Sequence, residues 1–207
     1  MPIDMIDTID TLHRRADAET RPYRDEAGFA FRPLRIPDDI PTLHRWFVQE
    51  RAAFWLMQDK TEAEVREAYQ RMLDSGTATP YIGWEGGRPA FLAECYDPAQ
   101  DRIRAFYEVR PGDLGMHIFI APPERRIAGY SRSVFHALMR FMFFHLGARR
   151  IVVEPDASNH KVHALNRSAG FAYDRDVVFP EKIASLAFCT RRDFEQATAA
   201  TLEEVHS

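Results

Sequence analysis

Cysteines, runs of basic residues and long apolar runs are all scarce in this chain of 207 residues. Its two cysteines, Cys95 and Cys189, lie far apart and lack the spacing of metal ligands, which predicts a reducing cytoplasmic setting and no metal site. A formal net charge of −4, without any Lys/Arg run longer than two residues, gives no reason to expect nucleic acid. The apolar run at 141–144 is far too short to cross a membrane, and the acidic start of the chain lacks the cations of a signal peptide. These absences favour a protein that stays inside the cell.

The composition is that of a globular protein. Hydrophobic residues make up 45% of the chain and charged residues 28%, which at this length suffices for one well-filled core. Residues 1–28 differ from the rest, because Ile and Leu first alternate with Asp and Thr and a nearly all-polar stretch follows. We predict an N-terminal extension over 1–28, made of a peripheral strand or short helix and a linker, and one folded domain over 29–207.

From residue 29 onward the patterns alternate between strand and helix. Thr61 to Glu64 has the form of a capping box that begins a helix, and Gly86-Gly87 predicts the turn of a hairpin. The predicted order is β-α-α-β-β-β-α-β-α-β-β, an α/β fold whose mixed sheet carries helices on both faces. Strands are predicted at 29–34, 81–85, 88–96, around His117, and at 148–153, 171–179 and 183–190, and helices around 40–47, from 61, and at 131–146 and 159–169.

The most informative stretch joins a strand, a turn and a helix start between Gly112 and Ser131. An apolar run bounded by Gly and Pro predicts a buried strand, and a cationic turn then opens a long helix. The first N–H groups of a helix lack intrahelical partners, so this arrangement predicts a site for a ligand that carries phosphate. Gly129 would let the backbone approach a pyrophosphate closely. Arg125 and Arg126 add positive charge, although taken alone they are equally typical of a solvated turn.

Several motifs, in this order along the chain, resemble the GNAT superfamily of acyl-CoA-dependent N-acyltransferases. The resemblance covers roughly residues 29–194 and implies the GNAT fold, with a central mixed and mostly antiparallel sheet. Two motifs support this resemblance: Arg126-x-x-Gly129-x-Ser131, where Ser131 replaces the usual Gly or Ala, and Asn159…Gly170-Phe171. Further motifs resemble the siderophore-biosynthesis branch, whose members acylate lysine or hydroxylysine: Asp113-x-Gly115-x-His117, Glu154-Pro155-Asp156, Trp46 with Phe54-Trp55, and Lys182-x-Ala184-x-Leu186.

The resemblance implies an acyl-CoA co-substrate, either acetyl-CoA or succinyl-CoA, and no metal. The backbone from Arg126 to Ser131 would form the pyrophosphate cradle. The residues implied to bind the co-substrate are Ile118, Phe119, Ile120, Arg125, Arg126, Ile127, Ala128, Gly129, Tyr130, Ser131, Asn159 and Asn166.

The resemblance identifies His117 as the catalytic base and Asp156 as a residue that orients the substrate or assists His117. A lone strand histidine is more typical of a structural role, but its place just upstream of the phosphate-binding turn favours catalysis. We expect its pKa near the ordinary value of about 6.5, and a pH–rate profile that rises through roughly pH 6–7. Two alternatives stay open for the carboxylate: Asp156 caps the turn or helix that follows it, or Glu154 serves instead.

The residue at the position of the usual acid departs from the superfamily pattern. Many GNAT enzymes carry a tyrosine four residues before the Gly-Phe pair, and that position here is Asn166, which cannot donate a proton in acid catalysis. Either protonated His117 returns the proton, or the thiolate leaves unassisted. Neither cysteine has a visible base partner, which disfavours a covalent acyl-cysteine route.

The acceptor side is predicted from the early aromatic residues. Aromatic residues at helical spacing are more typical of a core than of a pocket. Phe54 and Trp55 are adjacent, however, and cannot both face one core direction on a helix. The residues expected to bind the acceptor are Trp46, Phe54, Trp55, Asp113 and Glu154.

Together these features predict an N-acyltransferase that acylates the hydroxylamine nitrogen of an N-hydroxylated lysine or diamine, in hydroxamate siderophore biosynthesis and iron acquisition. A siderophore synthetase is an expected pathway partner, and neither nucleic acid nor a membrane is expected. The alternatives are acetylation of an aminoglycoside or a peptide N-terminus, or a non-catalytic acyl-CoA-binding protein. The presence of both His117 and Asp156 argues against the last alternative.

Overall fold

A computed structural model describes residues 22–122 and 127–205, with side chains as far as residue 199. In this part of the chain the strands are β1 (Tyr23–Arg24), β2 (Phe29–Pro33), β3 (Ala78–Glu85), β4 (Arg88–Tyr96), β5 (Asp113–Ile120), β6 (Arg150–Val153), β7 (Ala172–Val178) and β8 (Ile183–Thr190). The α-helices are α1 (Ile40–Phe47), α2 (Glu62–Ser75), α3 (Tyr130–Arg140), α4 (His160–Ser168) and α5 (Arg191–Val205). A π-helical turn, Phe141–His145, continues α3, and 3₁₀ turns cover Glu50–Trp55, Pro98–Gln100 and Arg102–Ala105.

The strands form one mixed sheet in the order β1-β2-β3-β4-β5-β6-β8-β7. All neighbours pair antiparallel except β5 and β6, which are parallel. The predicted order of elements and the predicted mostly antiparallel sheet are therefore confirmed from β2 to β8. The sequence patterns did not predict α5 or β1, whose neighbour Asp25 binds Arg140 through both carboxylate oxygens. Residues 1–21 of the predicted extension lie outside the described residues.

Helices cover both faces of the sheet because the strands alternate buried side chains between two cores. On one face, Ile82 and Leu92 pack with the buried side of α1 and α2. On the other, Tyr81 and Phe91 pack with α3. The predicted capping box at the start of α2 is confirmed, since Thr61 Oγ1 accepts from the Glu64 N–H and Glu64 in turn accepts from the Thr61 N–H.

The centre of the sheet splits between β5 and β6. The two strands pair only where Asp113–Gly115 faces Arg150–Val152, and β6 ends at Val153 while β5 continues to Ile120. On its other side β5 stays paired with β4 as far as Ile120. The edge of β5 over residues 116–120 that faces β6 therefore has no strand partner among the described residues. This gap positions the candidate site.

Candidate active site

His117 is the second residue of β5 past the split, and it lies between two carboxylates. Its Nδ1 lies 3.1 Å from Glu94 Oε2, and its Nε2 lies 3.0 Å from Glu154 Oε1. Glu94 is the residue of β4 directly opposite His117 in the sheet register, and Glu154 directly follows β6. An ionised carboxylate only accepts hydrogen bonds, so the two contacts require both ring nitrogens to carry a proton. The geometry is that of an imidazolium.

A buried tyrosine holds each of the two carboxylates. The Tyr69 hydroxyl donates to Glu94 Oε1 at 2.7 Å, and the Tyr96 hydroxyl donates to Glu154 Oε2 at 2.9 Å. Both tyrosines are at most 5% exposed, so water does not compete for these bonds. His117 itself is partly exposed, with 41% of its side chain accessible. The ring is therefore fixed by a buried frame but open to a ligand.

Gly115 makes room for one of these tyrosines. A Cβ atom at Gly115 would lie 2.1 Å from the Tyr96 ring, which is closer than any real contact. The glycine of the Asp113-x-Gly115-x-His117 motif therefore has a packing role. It lets the Tyr96 ring lie against β5, from where its hydroxyl reaches Glu154.

The charges around His117 shift its pKa far from the expected value. Burial alone lowers the pKa, but the charge of Glu154 and the hydrogen bonds to Glu154 and Glu94 outweigh it and raise the pKa to about 10. Burial likewise raises the pKa of Glu154, but the positive charge of His117 outweighs it and the pKa is lowered to about 2. The expectation of an ordinary pKa near 6.5 for His117 was wrong, because the sequence did not reveal that carboxylates face both ring nitrogens.

Glu154, not Asp156, contacts His117. The Asp156 carboxylate accepts from the backbone N–H and the hydroxyl of Ser158, as the capping alternative predicted. These bonds lower the pKa of Asp156. Its side chain still lines the cavity beside His117, so it remains within reach of a bound acceptor. Of the two carboxylates that the sequence left as alternatives, Glu154 contacts His117 and Asp156 caps the turn that follows it.

Two residues expected to bind the acceptor are structural instead. Asp113 is buried and forms a two-pronged ion pair with Arg150, with N–O distances of 2.9 and 2.6 Å, at the point where β5 and β6 pair. Trp46 is 8% exposed and stacks on Phe119, with ring centroids 5.8 Å apart. Neither lines a cavity described below. An aromatic residue on a helix face packs in a core more often than it binds a ligand, and a buried charged residue is usually paired within the fold.

Two cavities meet at the split in the sheet. The cavity beside His117, here called the histidine cavity, has a volume of about 370 Å³. A larger cavity of about 500 Å³, here called the helix-start cavity, reaches the first turn of α3 at Ser131. Residues shared by the two walls are Phe54, Trp55, Ile118, Asn159 and Val162. A ligand that occupies both cavities would pass from the start of α3 to His117.

Phe54 and Trp55, which were predicted to bind the acceptor, line the walls of both cavities. Phe54 is 52% exposed, which leaves its ring available for a ligand. The Trp55 ring meets His117 edge to face at 6.4 Å, and its Nε1 donates to the Tyr69 hydroxyl at 3.3 Å. Trp55 therefore connects the cavity wall to the carboxylate frame.

Five of the residues expected to bind the co-substrate line the helix-start cavity. These are Ile118, Phe119, Ile120, Ser131 and Asn159. The Asn159 side chain also accepts from the Val162 N–H and so caps α4. Gly129 precedes α3 with φ of +75°, a conformation that only glycine adopts readily, and a Cβ there would meet no atom within 4 Å.

The other residues expected to bind the co-substrate, where the structure describes them, do not line the helix-start cavity. The Tyr130 side chain is buried against Phe29, and its backbone N–H donates to the Ile127 carbonyl oxygen. The predicted cradle involves only the backbone of Tyr130 and stays a prediction. Ile127 and Ala128 are exposed in the turn before α3. Arg125 and Arg126 lie outside the described residues.

Asn166 lines the histidine cavity rather than the helix-start cavity. It is 1% exposed, and its Nδ2 donates to the Tyr173 hydroxyl at 3.0 Å. Its Oδ1 has no hydrogen-bond partner within the described part of the chain. A buried acceptor left unsatisfied is destabilising, so this atom fits a place where a ligand supplies a donor.

The sequence analysis missed Glu94, Tyr69 and Tyr96. One signal was available for Glu94, because it is the single charged residue in the otherwise apolar run 90–96 of a predicted strand. A buried carboxylate in a central strand requires a partner, and His117 is that partner. Nothing in the sequence distinguished Tyr69 and Tyr96 from ordinary core aromatics.

Within residues 22–122 and 127–205 no cluster of three or more His, Cys, Asp or Glu side chains is arranged to hold a metal ion. Over the same residues no helix is both long and apolar enough to span a bilayer. The site described here is thus built from an imidazolium, two carboxylates and two connected cavities.

Two neighbouring cavities, one at a helix start and one beside a histidine held between two carboxylates, suit a group-transfer enzyme with an extended co-substrate. A family model described as an acetyltransferase (GNAT) domain matches residues 35–179, and the chain belongs to this family. It is an acyltransferase that uses an acyl-CoA co-substrate, in agreement with the prediction.

Curated relatives support the predicted resemblance to siderophore enzymes. The chain is 26% identical over 172 residues to an N-hydroxyputrescine acetyltransferase of Acinetobacter baumannii, covering 83% of this chain and 82% of the relative. It is 28% identical over 185 residues to an N(6)-hydroxylysine O-acetyltransferase of Escherichia coli, covering 88% of this chain but 57% of that longer protein. It is also 28% identical over 134 residues to the lysine N-acyltransferase MbtK of Mycobacterium tuberculosis, covering 64% of this chain and 63% of the relative.

Solved structures confirm the fold. An uncharacterized protein from Bacillus halodurans superposes with a TM-score of 0.77 at 26% identity, covering 86% of this chain and 93% of that one. The aminoglycoside acetyltransferase AAC(6')-Ib in complex with coenzyme A superposes with a TM-score of 0.70 at 25% identity, covering 81% and 98% of the two chains.

Proposed function

We propose that this protein transfers an acyl group from acyl-CoA to the hydroxylamine nitrogen of an N-hydroxylated lysine or diamine, in hydroxamate siderophore biosynthesis. Support comes from two relatives whose names give hydroxylated amines as acceptors, the N-hydroxyputrescine acetyltransferase and the N(6)-hydroxylysine O-acetyltransferase. In this proposal the enzyme works in the cytoplasm, in a pathway for iron acquisition, and a siderophore synthetase uses its product.

The observation that carries the proposal is that a carboxylate lies within hydrogen-bond distance of each ring nitrogen of His117, which favours the protonated ring. A lysine-type ammonium has a pKa of about 10.4 and must lose a proton before its nitrogen can attack a thioester. An imidazolium whose two nitrogens both donate to carboxylates has no lone pair with which to take that proton. A hydroxylamine nitrogen is far less basic and is already neutral at physiological pH. The site therefore suits a hydroxylamine better than a plain amine.

The same protonated state gives His117 a role in proton transfer. As the acceptor nitrogen attacks the thioester, a C–N bond forms and the C–S bond breaks. His117 gives its proton to the departing thiolate sulfur and receives the proton that the acylated nitrogen releases. One proton thus moves from nitrogen to sulfur, and His117 returns to its starting state. This assigns to His117 the acid role that Asn166 cannot fill.

Glu94 and Glu154 are positioning residues in this proposal. Their negative charges keep His117 protonated before the reaction, and their hydrogen bonds fix the orientation of its ring. Tyr69 and Tyr96 hold the carboxylates in turn. An arrangement fixed in advance avoids reorganisation as charge develops.

The acyl-CoA would occupy the helix-start cavity. The first turn of α3, where Ser131 lines the wall, offers backbone N–H groups to phosphate. The unpaired edge of β5 over 116–120 offers backbone donors and acceptors to an extended amide-bearing chain, such as the pantetheine arm. Residues 118–120 of that edge line the helix-start cavity, and residues 116–118 line the histidine cavity.

A panel of acceptors tests the proposal, with release of free CoA as the readout. N-hydroxycadaverine, N-hydroxyputrescine and N6-hydroxylysine are compared at pH 7 with cadaverine, putrescine and lysine, using acetyl-CoA and succinyl-CoA in turn. We expect each hydroxylated compound to be acylated at nitrogen with a kcat/KM well above that of its parent. A better rate with the plain amines would refute the hydroxylamine assignment.

Two further results would point to the alternative functions. Efficient acetylation of kanamycin, with no activity on any hydroxylamine, would place the protein with aminoglycoside acetyltransferases such as AAC(6')-Ib, to which its fold is similar. Binding of acetyl-CoA in calorimetry without CoA release for any acceptor would indicate a non-catalytic binding protein.

A further inference from the structure

The arginine and the lysine on the wall of the histidine cavity are, like His117, already paired with carboxylates of the same chain. Arg102 Nη1 donates to Glu181 Oε2 at 3.0 Å, and the guanidinium also lies over the Phe179 ring at 4.3 Å. Lys182 Nζ donates to the Glu154 carbonyl oxygen at 2.8 Å and lies 3.7 Å from its carboxylate. A ligand carboxylate that entered this cavity would meet cations whose positive charge is already balanced by carboxylates of the chain.

Two carboxylates on the same wall have no such partner. Asp101 accepts from the Ile103 N–H at 2.8 Å, and Asp156 accepts from Ser158. Both donors are neutral, and within the described residues neither carboxylate forms an ion pair with a lysine or arginine. Both side chains are half-buried and line the cavity. The wall carries five carboxylates against an arginine, a lysine and His117, so even with His117 charged its net charge is negative.

The side chain of Asn166, on the same cavity wall, also offers an acceptor without a donor. The Oδ1 atom of Asn166 is buried and, across the described part of the chain, unpartnered, while the Nδ2 of the same side chain is used by Tyr173. Among the described residues, the cavity wall therefore combines two carboxylates that form no ion pair with lysine or arginine and one buried acceptor that has no donor. Its complementary ligand carries N–H or O–H donors and positive charge.

We infer that the acceptor is an N-hydroxylated diamine without a carboxylate, whose remaining ammonium group is held by Asp101 and Asp156. The inference rests on the proposed function, because it names which of the hydroxylated acceptors the same site takes. An N-hydroxydiamine presents one hydroxylamine and one ammonium, joined by an apolar chain. Phe54, Trp55 and Met57 provide apolar wall that this chain can contact. A hydroxylysine adds a carboxylate. In this cavity it would face an arginine and a lysine that are already paired, and two aspartates of the same charge.

Steady-state kinetics on four acceptors tests this inference. N-hydroxycadaverine carries the ammonium, N6-hydroxylysine carries both ammonium and carboxylate, N-hydroxyputrescine is one methylene shorter, and N-butylhydroxylamine lacks the second charge. For the wild-type enzyme we expect kcat/KM for N-hydroxycadaverine or N-hydroxyputrescine to exceed that for N6-hydroxylysine at least about tenfold.

The variants Asp101→Asn and Asp156→Asn test the two carboxylates directly. Each should raise the KM for the hydroxydiamines about three- to tenfold more than it raises the KM for N-butylhydroxylamine, which has no second charge for the aspartates to hold. Asp97→Asn is the matched control, since Asp97 caps the neighbouring 3₁₀ turn through the Ala99 N–H at 2.9 Å but does not line the cavity. It should leave all four KM values as in the wild type.

Equal or better use of N6-hydroxylysine would overturn the inference and leave the proposed function intact. A KM increase that is the same for N-butylhydroxylamine and the hydroxydiamines would also overturn it, because the two aspartates would then act through the fold. If no hydroxylamine is acylated at all, the proposed function fails and the inference fails with it.

Discussion

The imidazole of His117 and the carboxylate of Glu154 each stabilise the charged form of the other, across a contact of 3.0 Å. Glu94 makes the corresponding contact on the opposite ring nitrogen. The consequence is a histidine that stays protonated at neutral pH. That state excludes simple general-base catalysis on an ammonium and favours an acceptor that needs no prior deprotonation.

Replacement of His117 by alanine tests whether the histidine takes part in the reaction. We expect His117→Ala to lower kcat by roughly 10²–10⁴-fold, the usual contribution of a positioned proton donor or acceptor, with little change in the KM for acyl-CoA. His44→Ala is the control, since His44 contacts the Lys60 carbonyl oxygen and lines neither cavity. Activity of His117→Ala within a few-fold of the wild type would make His117 a structural residue.

The two carboxylates after β6 should differ in which kinetic parameter they control. Glu154→Gln removes a charge in contact with His117 and should lower kcat about tenfold or more, because the imidazolium loses its main stabilising partner. Asp156→Asn leaves that contact in place and should act on the KM of the acceptor. A large loss of kcat in Asp156→Asn with none in Glu154→Gln would reverse the assignment made from the contacts.

The fold was largely predictable from the sequence, because hydrophobic periodicity and turn residues are local signals. The capping box at Thr61 and the Gly86-Gly87 turn between β3 and β4 are examples. The element α5 was missed because its 15 residues carry alanine and charge with only a weak apolar stripe. The strand β1 has only two residues, which is too short for any periodicity to show.

The candidate site was predictable only in part, because its chemistry depends on contacts between distant strands. The position of His117 followed from a motif, but its partners Glu94 and Glu154 are 23 and 37 residues away along the chain. The same limit explains the error at Asp113, whose partner Arg150 is 37 residues away. Residue type and spacing identify the candidates, and only the register of the sheet decides which of them meet.

The two tyrosines that hold the carboxylates should contribute to stability as well as to the pKa of His117. Tyr69→Phe or Tyr96→Phe removes a donor from a buried carboxylate, which should lower the free energy of unfolding by about 1–3 kcal/mol in urea titrations. The remaining activity should decline at a lower pH than in the wild type, because a less firmly held carboxylate supports the imidazolium less well. Tyr23→Phe is the control, because it removes a tyrosine hydroxyl on the short strand β1 and contacts neither carboxylate.

Gly129 should matter for the co-substrate rather than for the fold. Gly129→Val forces a β-branched residue to φ of +75° at the start of α3, next to the wall at Ser131. We expect at least about tenfold weaker acetyl-CoA binding in calorimetry, because the turn can no longer present its backbone closely to a pyrophosphate. Gly76→Val is matched in strain, with φ of +65° and no atom within 4 Å of its Cβ, but it lies at the end of α2. Equal affinity in the two variants would remove the turn at Gly129 from the binding site.

The pH dependence of kcat distinguishes an imidazolium from a free base. The pKa of His117 is raised to about 10, so its positive charge is fully present below its ordinary value of about 6.5 and is lost as the pH rises through about 10. With saturating substrates, kcat should therefore stay level from pH 7 to about pH 9 and fall toward pH 10, instead of rising through pH 6–7. In Glu94→Gln, which removes one carboxylate but keeps a group able to hydrogen bond, the fall should begin about one pH unit lower or more, since an opposite charge has been taken from the ring. A wild-type profile that rises through pH 6–7 and then levels would show that the histidine works with an ordinary pKa. The acceptor could then be a plain amine, because a neutral imidazole would be available to remove its proton.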